Sequence, residues 1–274
     1  MTILEMTNKE SKTVPISISR DVEIGGPAIV LMAGPCSVES YEQTRSVAEA
    51  LCVHGVRILR GGAFKPRTSP RSFQGLGVEG LEILRTVADE FGLVVITEAL
   101  GVEHVPLVAE FADIIQVGSR NMQHFPLLWA VGETTKPVML KRGFMSTVSE
   151  WLLAAEHIAS RGNEKIILCE RGIRTFGTET RNTLDTNAIA LAKLEASWPV
   201  VGDPSHATGR TDLVIPAARA AIAAGADGLI VEVHPNPAEA WSDGDQSLNL
   251  GEFSELVRQI GKISVAMDRK FEGF

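Results

Sequence analysis

The sequence is short of cysteine, of basic charge and of long apolar runs, and each shortage removes a class of protein. Its three cysteines, Cys36, Cys52 and Cys169, form no CxxC pair and no disulfide-like spacing. An odd, sparse set suits a reducing compartment, where a thiol is core filler, nucleophile or ligand. No stretch approaches the roughly 18 apolar residues that span a bilayer. The first 19 residues mix Glu5, Lys9, Glu10 and Lys12 and hold no apolar run of signal-peptide length. A cytoplasmic location is the expectation. Acidic residues outnumber basic ones by 34 to 26, for a net charge of −8. Nucleic acid is thereby excluded as the main partner, because phosphate-backbone binding needs a basic footprint. No membrane partner is expected either. No GxGxxG follows a first strand, where a dinucleotide fingerprint would place it, and HExxH is missing, so there is no helical zinc motif of that kind.

What is present is a repeated phrase: a short apolar run, a polar Gly-containing junction, then a helical pattern. The runs fall at 28–33, 56–59, 93–96, 113–117, 137–140, 165–169, 199–201 and 228–231. Amphipathic stretches such as 41–53, 80–91, 148–160 and 213–224 lie between them. Continuous apolar strands alternating with helices imply parallel pairing with both faces buried. Eight of them favour an α/β fold closed as a (β/α)₈ TIM barrel over an open doubly wound sheet. The expected organisation is an N-terminal arm or extra strand over 1–27, containing the alternating Val14-Pro15-Ile16-Ser17-Ile18, and a catalytic barrel over 28–274. The tail after Lys262 reads as the end of the last helix, Cys52 as helix packing, and Cys169 as a structural strand residue.

In such barrels chemistry sits where strands run out into helices, and these junctions carry an unusual amount of charge. Arg60, Lys65, Arg67, Arg120, Lys141 and Arg171 would converge on one barrel mouth inside an acidic protein. Like charges in that number destabilise a fold unless anions fill them. Arginine forks and lysine ammoniums suit phosphate and carboxylate, so a strongly anionic substrate is expected. A second constellation, Cys36, His206, Glu232 and Asp243, falls at the first, seventh and eighth strand ends, which are neighbours in a closed barrel. Thiol, imidazole and carboxylate together suit a first-row divalent ion.

At these junctions the chain resembles the 3-deoxy-D-arabino-heptulosonate 7-phosphate (DAHP) synthase family, in its type I-beta, barrel-only form. The likeness rests on AGPCSVES (33–40), RGGAFKPRTSPRSFQGLG (60–77), LKRG (140–143), ILCERGIRTF (167–176), TRNTLD (180–185), DPSHATGR (203–210), EVHPNP (232–237) and SDGDQSL (242–248). It covers roughly residues 28–260. Ser119 stands where the family often shows Ala, and His124 where Asn is common.

The resemblance implies a metal-dependent, aldol-like condensation of phosphoenolpyruvate with erythrose 4-phosphate, the first step of the shikimate pathway. It assigns Cys36, His206, Glu232 and Asp243 to one divalent metal, with manganese, iron, cobalt and zinc all acceptable. It assigns Arg60, Lys65, Arg120, Lys141 and Arg171 to phosphoenolpyruvate, the last three around its phosphate. The 65–69 turn, Ser69 included, would hold erythrose 4-phosphate, with Arg67 and Thr68 taking its phosphate. Catalytic roles fall to Lys65, the candidate for proton transfer, and to Cys36 and His206. Glu98 and His234 are candidates to orient water or a ligand.

Three alternatives remain: the octulosonate enzyme that uses arabinose 5-phosphate, disfavoured by KPRTS; a Schiff-base aldolase using Lys65 or Lys141; and a non-catalytic sugar-phosphate-binding barrel. A homo-oligomer, dimer or tetramer, is expected by analogy. The 27 residues before the first barrel strand are too few for the sensor or mutase domains of related enzymes, so insensitivity to Phe, Tyr and Trp is expected.

Overall fold

Strands form where the sequence offers residues that are apolar on both faces. In the computed structural model, which describes residues 13–65, 69 and 71–271, each of the eight apolar runs contributes one parallel strand. They are β3 (Ala28–Gly34), β4 (Ile58–Arg60), β5 (Val94–Glu98), β6 (Ile114–Val117), β7 (Val138–Lys141), β8 (Ile166–Glu170), β9 (Val200–Gly202) and β10 (Gly228–Glu232). They pair in chain order, and β10 returns to β3 with Gly228 beside Val30 and Glu232 beside Gly34, closing the barrel. The expected (β/α)₈ fold is what the chain adopts.

Because side chains alternate along a strand, each strand feeds two cores. Val30, Met32, Ile58, Ile96, Ile114, Met139, Ile167, Cys169 and Ile230 fill the barrel interior. Leu31, Ala33, Leu59, Val95, Ile115, Leu140, Leu168 and Val231 face the surrounding helices. Cys169 is therefore a barrel filler, as expected. Cys52 is not packed: it sits on the exposed side of helix α1 (Tyr41–Val53), because the buried stripe of that helix is built from Thr44, Val47, Ala48 and Leu51.

The helices that matter for the site start directly behind the strand ends. Helix α5 (Val148–Ala159) opens with a Thr147–Glu150 capping box, α6 (Thr186–Glu195) with Asp185, and the short α7 (Pro204–Thr208) with Asp203. Each cap satisfies amides that the first turn leaves free. Among the described residues no helix is long and apolar enough to cross a membrane.

Two elements lie outside the repeat. Strands β1 (Ile16–Ser19) and β2 (Val22–Ile24) form an antiparallel hairpin just ahead of β3. Its Ile16, Val22 and Ile24 join the interior cluster, so the hairpin floors the barrel at the end opposite the junctions. The tail does more than finish a helix. After α9 (Leu250–Ala266) the chain turns back, and β11 (Lys270–Phe271) pairs with Ala28 and Ile29 of β3.

Candidate active site

The mouth of the barrel is built from last strand residues and the loops that follow them. Glycine permits the tightest approach: a Cβ on Gly34 would lie 1.9 Å from the Arg60 carbonyl oxygen, so the turn that presents Cys36 needs glycine there. Cys36 follows β3, Glu232 ends β10, and Asp243 lies in the loop beyond it. One ligand atom from each of these three falls within 4.8 Å of the other two. Asp243 holds a left-handed backbone, φ 48°, a conformation that costs an L-residue about 1–3 kcal/mol and concentrates at functional sites.

His206, on α7, meets this group from the side. Its Nε2 lies 3.2 Å from Glu232 Oε1 and its Nδ1 lies 2.8 Å from Asp203 Oδ2. The Nδ1 edge of the ring thus faces Asp203 and the Nε2 edge faces Glu232. Burial lowers the pKa of His206, against the pull of Asp203 and Glu232, which favours the neutral imidazole a metal requires. A thiol, two carboxylates and an imidazole edge are thereby grouped at one end of the barrel. The donor set therefore fits a divalent ion.

Cations crowd the same acceptors. Arg60 NH1 lies 2.6 Å from Glu232 Oε1, and Lys65 Nζ donates to Cys36 Sγ and to the Cys36 carbonyl oxygen, both at 2.9 Å. Burial pushes the Cys36 thiol up to about 12, reinforced by Glu232. Burial also acts to raise Glu232, but His206, Arg60 and Lys65 outweigh it and hold that carboxyl well below the usual range.

Lys141, at the end of β7, is buried and reaches Asp203 Oδ2 at 2.6 Å. Arg171, after β8, is also buried; its NH1 has no hydrogen-bond partner among the described residues, and burial lowers its pKa. A buried donor without a partner costs about 1–3 kcal/mol, more when charged, so this guanidinium is built to meet an acceptor. Arg120 lines the same cleft as Arg60, Lys65, Lys141, Arg171, His206 and Glu98.

Of the expected site residues, Cys36, Arg60, Lys65, Arg120, Lys141, Arg171, His206, Glu232 and Asp243 gather at this mouth. Ser69 is exposed, and its hydrogen bonds run to Arg71, Ser72 and Gln74 in its own turn. Arg67 and Thr68 lie outside the described residues. Glu98 accepts from Gln116 Nε2 at 2.8 Å inside the cleft. His234 instead meets Glu39 at 3.3 Å and accepts from the Asn236 amide, bracing the loop after β10.

Sequence reading missed four contributors. Asp203 serves Lys141, the His206 ring and, as a helix cap, the His206 amide. Gln246 donates to Glu232 Oε2 at 2.5 Å and accepts from Arg181 at 2.8 Å; Arg181 also lies 3.5 Å from Asp243. Phe144 sits under three arginines. A lone acid at a junction ringed by cations was the available signal for Asp203.

Residues 13–269 match the DAHP synthetase I family. A phospho-2-dehydro-3-deoxyheptonate aldolase of Thermotoga maritima is 58% identical over 250 residues, covering 91% of this chain and 74% of the relative. A 2-dehydro-3-deoxyphosphooctonate aldolase of Acidithiobacillus ferrooxidans is 36% identical, covering 83% of this chain and 86% of that one. A crystal structure of the Thermotoga maritima aldolase (DAHP synthase) superposes with a TM-score of 0.92 at 56% identity, over 95% of this chain and 76% of that one. A truncated form of the 3-deoxy-D-arabino-heptulosonate 7-phosphate synthase from the same organism gives 0.89 at 52% identity, over 95% of both chains. On sequence and fold together, the chain is an enzyme of the DAHP synthetase I family.

Proposed function

We propose that this enzyme condenses phosphoenolpyruvate with erythrose 4-phosphate, giving 3-deoxy-D-arabino-heptulosonate 7-phosphate and inorganic phosphate, in a metal-dependent reaction. The observation that carries the reading is the buried Arg171 guanidinium, its NH1 without a partner among the described residues, in one cleft with Lys141, Arg120 and His206. An anion-binding floor thus adjoins a thiol–carboxylate–imidazole donor set.

Cys36, His206, Glu232 and Asp243 would hold the ion, whose Lewis acidity would polarise the aldehyde carbonyl of the acceptor sugar. The chain's own residues then do the following. Arg120, Lys141 and Arg171 bind the phosphate of phosphoenolpyruvate and fix its C3 toward the aldehyde carbon. As C3 bonds to that carbon, positive character develops at C2, and addition of water there followed by C–O cleavage releases phosphate. The same cations stabilise the charge on the departing phosphate. Lys65, held at Cys36, is placed to pass a proton at the mouth. Asp203 fixes both Lys141 and the His206 ring. The 65–69 turn, Ser69 included, would hold the sugar, with Arg67 and Thr68 taking its phosphate.

Erythrose 4-phosphate is favoured over arabinose 5-phosphate by the KPRTS turn and by the higher identity to the heptonate than to the octonate aldolase, 58% against 36%. The proposal includes the arm at 1–27 and the barrel at 28–274, a cytoplasmic homo-oligomer, and small-molecule partners only. Its nearest chemical rival, an imine on Lys65 or Lys141, is tested by adding borohydride with substrate after chelation. Trapped, reduced lysine adducts and surviving activity would overturn the metal-dependent reading; no adduct and lost activity are expected.

A further inference from the structure

The loop after β7 is tied down along its length. Arg142 NH1 reaches Glu170 at 2.8 Å and Asp185 at 3.0 Å, while its Nε donates to the Ser146 carbonyl oxygen at 2.9 Å. The Gly143 amide donates to Met122 Sδ at 3.1 Å, and the Arg174 amide donates to the Phe144 carbonyl oxygen at 2.8 Å. Phe144 is thus fixed from both sides. Around its ring stand three guanidinium groups: Arg171 at 4.6 Å, Arg174 at 5.4 Å and Arg120 at 5.6 Å from the centroid.

Those arginines come from the loops after β6 and β8, and Phe144 comes from the loop between them in sequence order. Arg171 is buried, whereas Arg120 and Arg174 are exposed. Three like charges converging on one spot repel, and exposed arginines would otherwise swing into solvent. An aromatic face attracts a cation within roughly 6 Å of its centroid, and all the more where water is excluded. The ring also lines the cleft itself, next to Arg120, Lys141 and Arg171.

We propose that Phe144 is a positioning residue for anion binding: its ring, which Arg174 also meets, holds Arg120 and Arg171 in the cleft, so that the anion meets assembled donors. The role rests on the reading of this cleft as the phosphoenolpyruvate site. The effect falls on the grip of the bound anion and, through Arg120 and Arg171, on the departing phosphate, so kcat/KM for phosphoenolpyruvate carries it.

The experiment places phenylalanines with one, two or three ring fluorines at position 144, which drains the negative face while nearly preserving size. Calorimetric titration of the metal-loaded protein with inorganic phosphate and with phosphoenolpyruvate reads the affinity. It falls stepwise along the series, by about tenfold from the parent to the trifluorinated ring. The value of kcat/KM for phosphoenolpyruvate falls in step. Phe144→Tyr keeps the parent affinity and Phe144→Leu loses it. Equal affinities across the fluorinated series, whatever Phe144→Leu does, would reduce the ring to a space filler and overturn the proposal. If the unsubstituted protein binds neither anion, the reading of the cleft fails and the proposal falls with it, a failure visible before any substitution is made.

Discussion

The ammonium of Lys65 lies 2.9 Å from the sulfur of Cys36. A cation beside a thiol favours thiolate, yet burial and Glu232 dominate and push Cys36 up to about 12. The metal-free protein therefore carries a protonated thiol at neutral pH, donating to Asp243 Oδ2 at 3.2 Å.

Metal loading must expel that proton, because the thiolate is the ligand. Affinity for a divalent ion should rise by about tenfold per pH unit between roughly pH 6 and 8. Calorimetry in buffers of different ionisation enthalpy should show release of about one proton per ion. Cys36→Ser should remove this proton release. An affinity indifferent to pH would take Cys36 out of the ligand set.

Asp203 should matter as much as a residue in contact with substrate, although its contacts are Lys141 and His206. Asp203→Asn keeps the shape but loses the charge that faces the His206 ring and holds the Lys141 ammonium. Loss of such a supporting group costs about 10–100-fold in metal affinity or activity. Turnover and metal titration of the folded variant check this, and wild-type values in both would refute the assignment.

Acid should destabilise the metal-free protein through its buried carboxylates. Burial would raise Asp203 and Glu232; His206 with Lys141 lowers the first, and His206 with Arg60 lowers the second. A carboxyl lowered in the folded state stabilises fully above its unfolded pKa of about 4, and that contribution is lost as pH falls from there through the folded value. Urea unfolding should show stability falling below about pH 4, and Glu232→Gln should make that fall shallower. An equally steep fall in the variant would contradict the account.

The floor hairpin should serve stability alone. Ile24 is fully buried in the barrel interior, and Ile24→Ala should cost about 2–5 kcal/mol while leaving kcat per folded molecule unchanged. Denaturant unfolding and steady-state kinetics on the same preparation separate the two.

What the sequence revealed followed from periodicity and position. Runs such as Ile166–Glu170 are buried along their whole length, so both-face burial was readable, and strand ends then located Cys36, Arg60, Lys141, Arg171 and Glu232. The hidden features depend on partners distant in sequence. Lys270 and Phe271 are a strand only because Ala28 and Ile29 lie beside them. The importance of Asp203 depends on which His206 nitrogen faces it, and that of Phe144 on arginines from two other loops. Cys52 fitted a helical pattern, but it lies off the buried stripe of α1 and stays exposed.

The central claim is a metal-dependent union of phosphoenolpyruvate with a four-carbon aldehyde. Metal-stripped protein is mixed with phosphoenolpyruvate and either erythrose 4-phosphate or arabinose 5-phosphate, manganese, iron, cobalt or zinc is added singly, and phosphate release is followed. Release should require both an added metal and erythrose 4-phosphate. Undiminished release without metal, or release with arabinose 5-phosphate and none with erythrose 4-phosphate under every metal, would contradict the account.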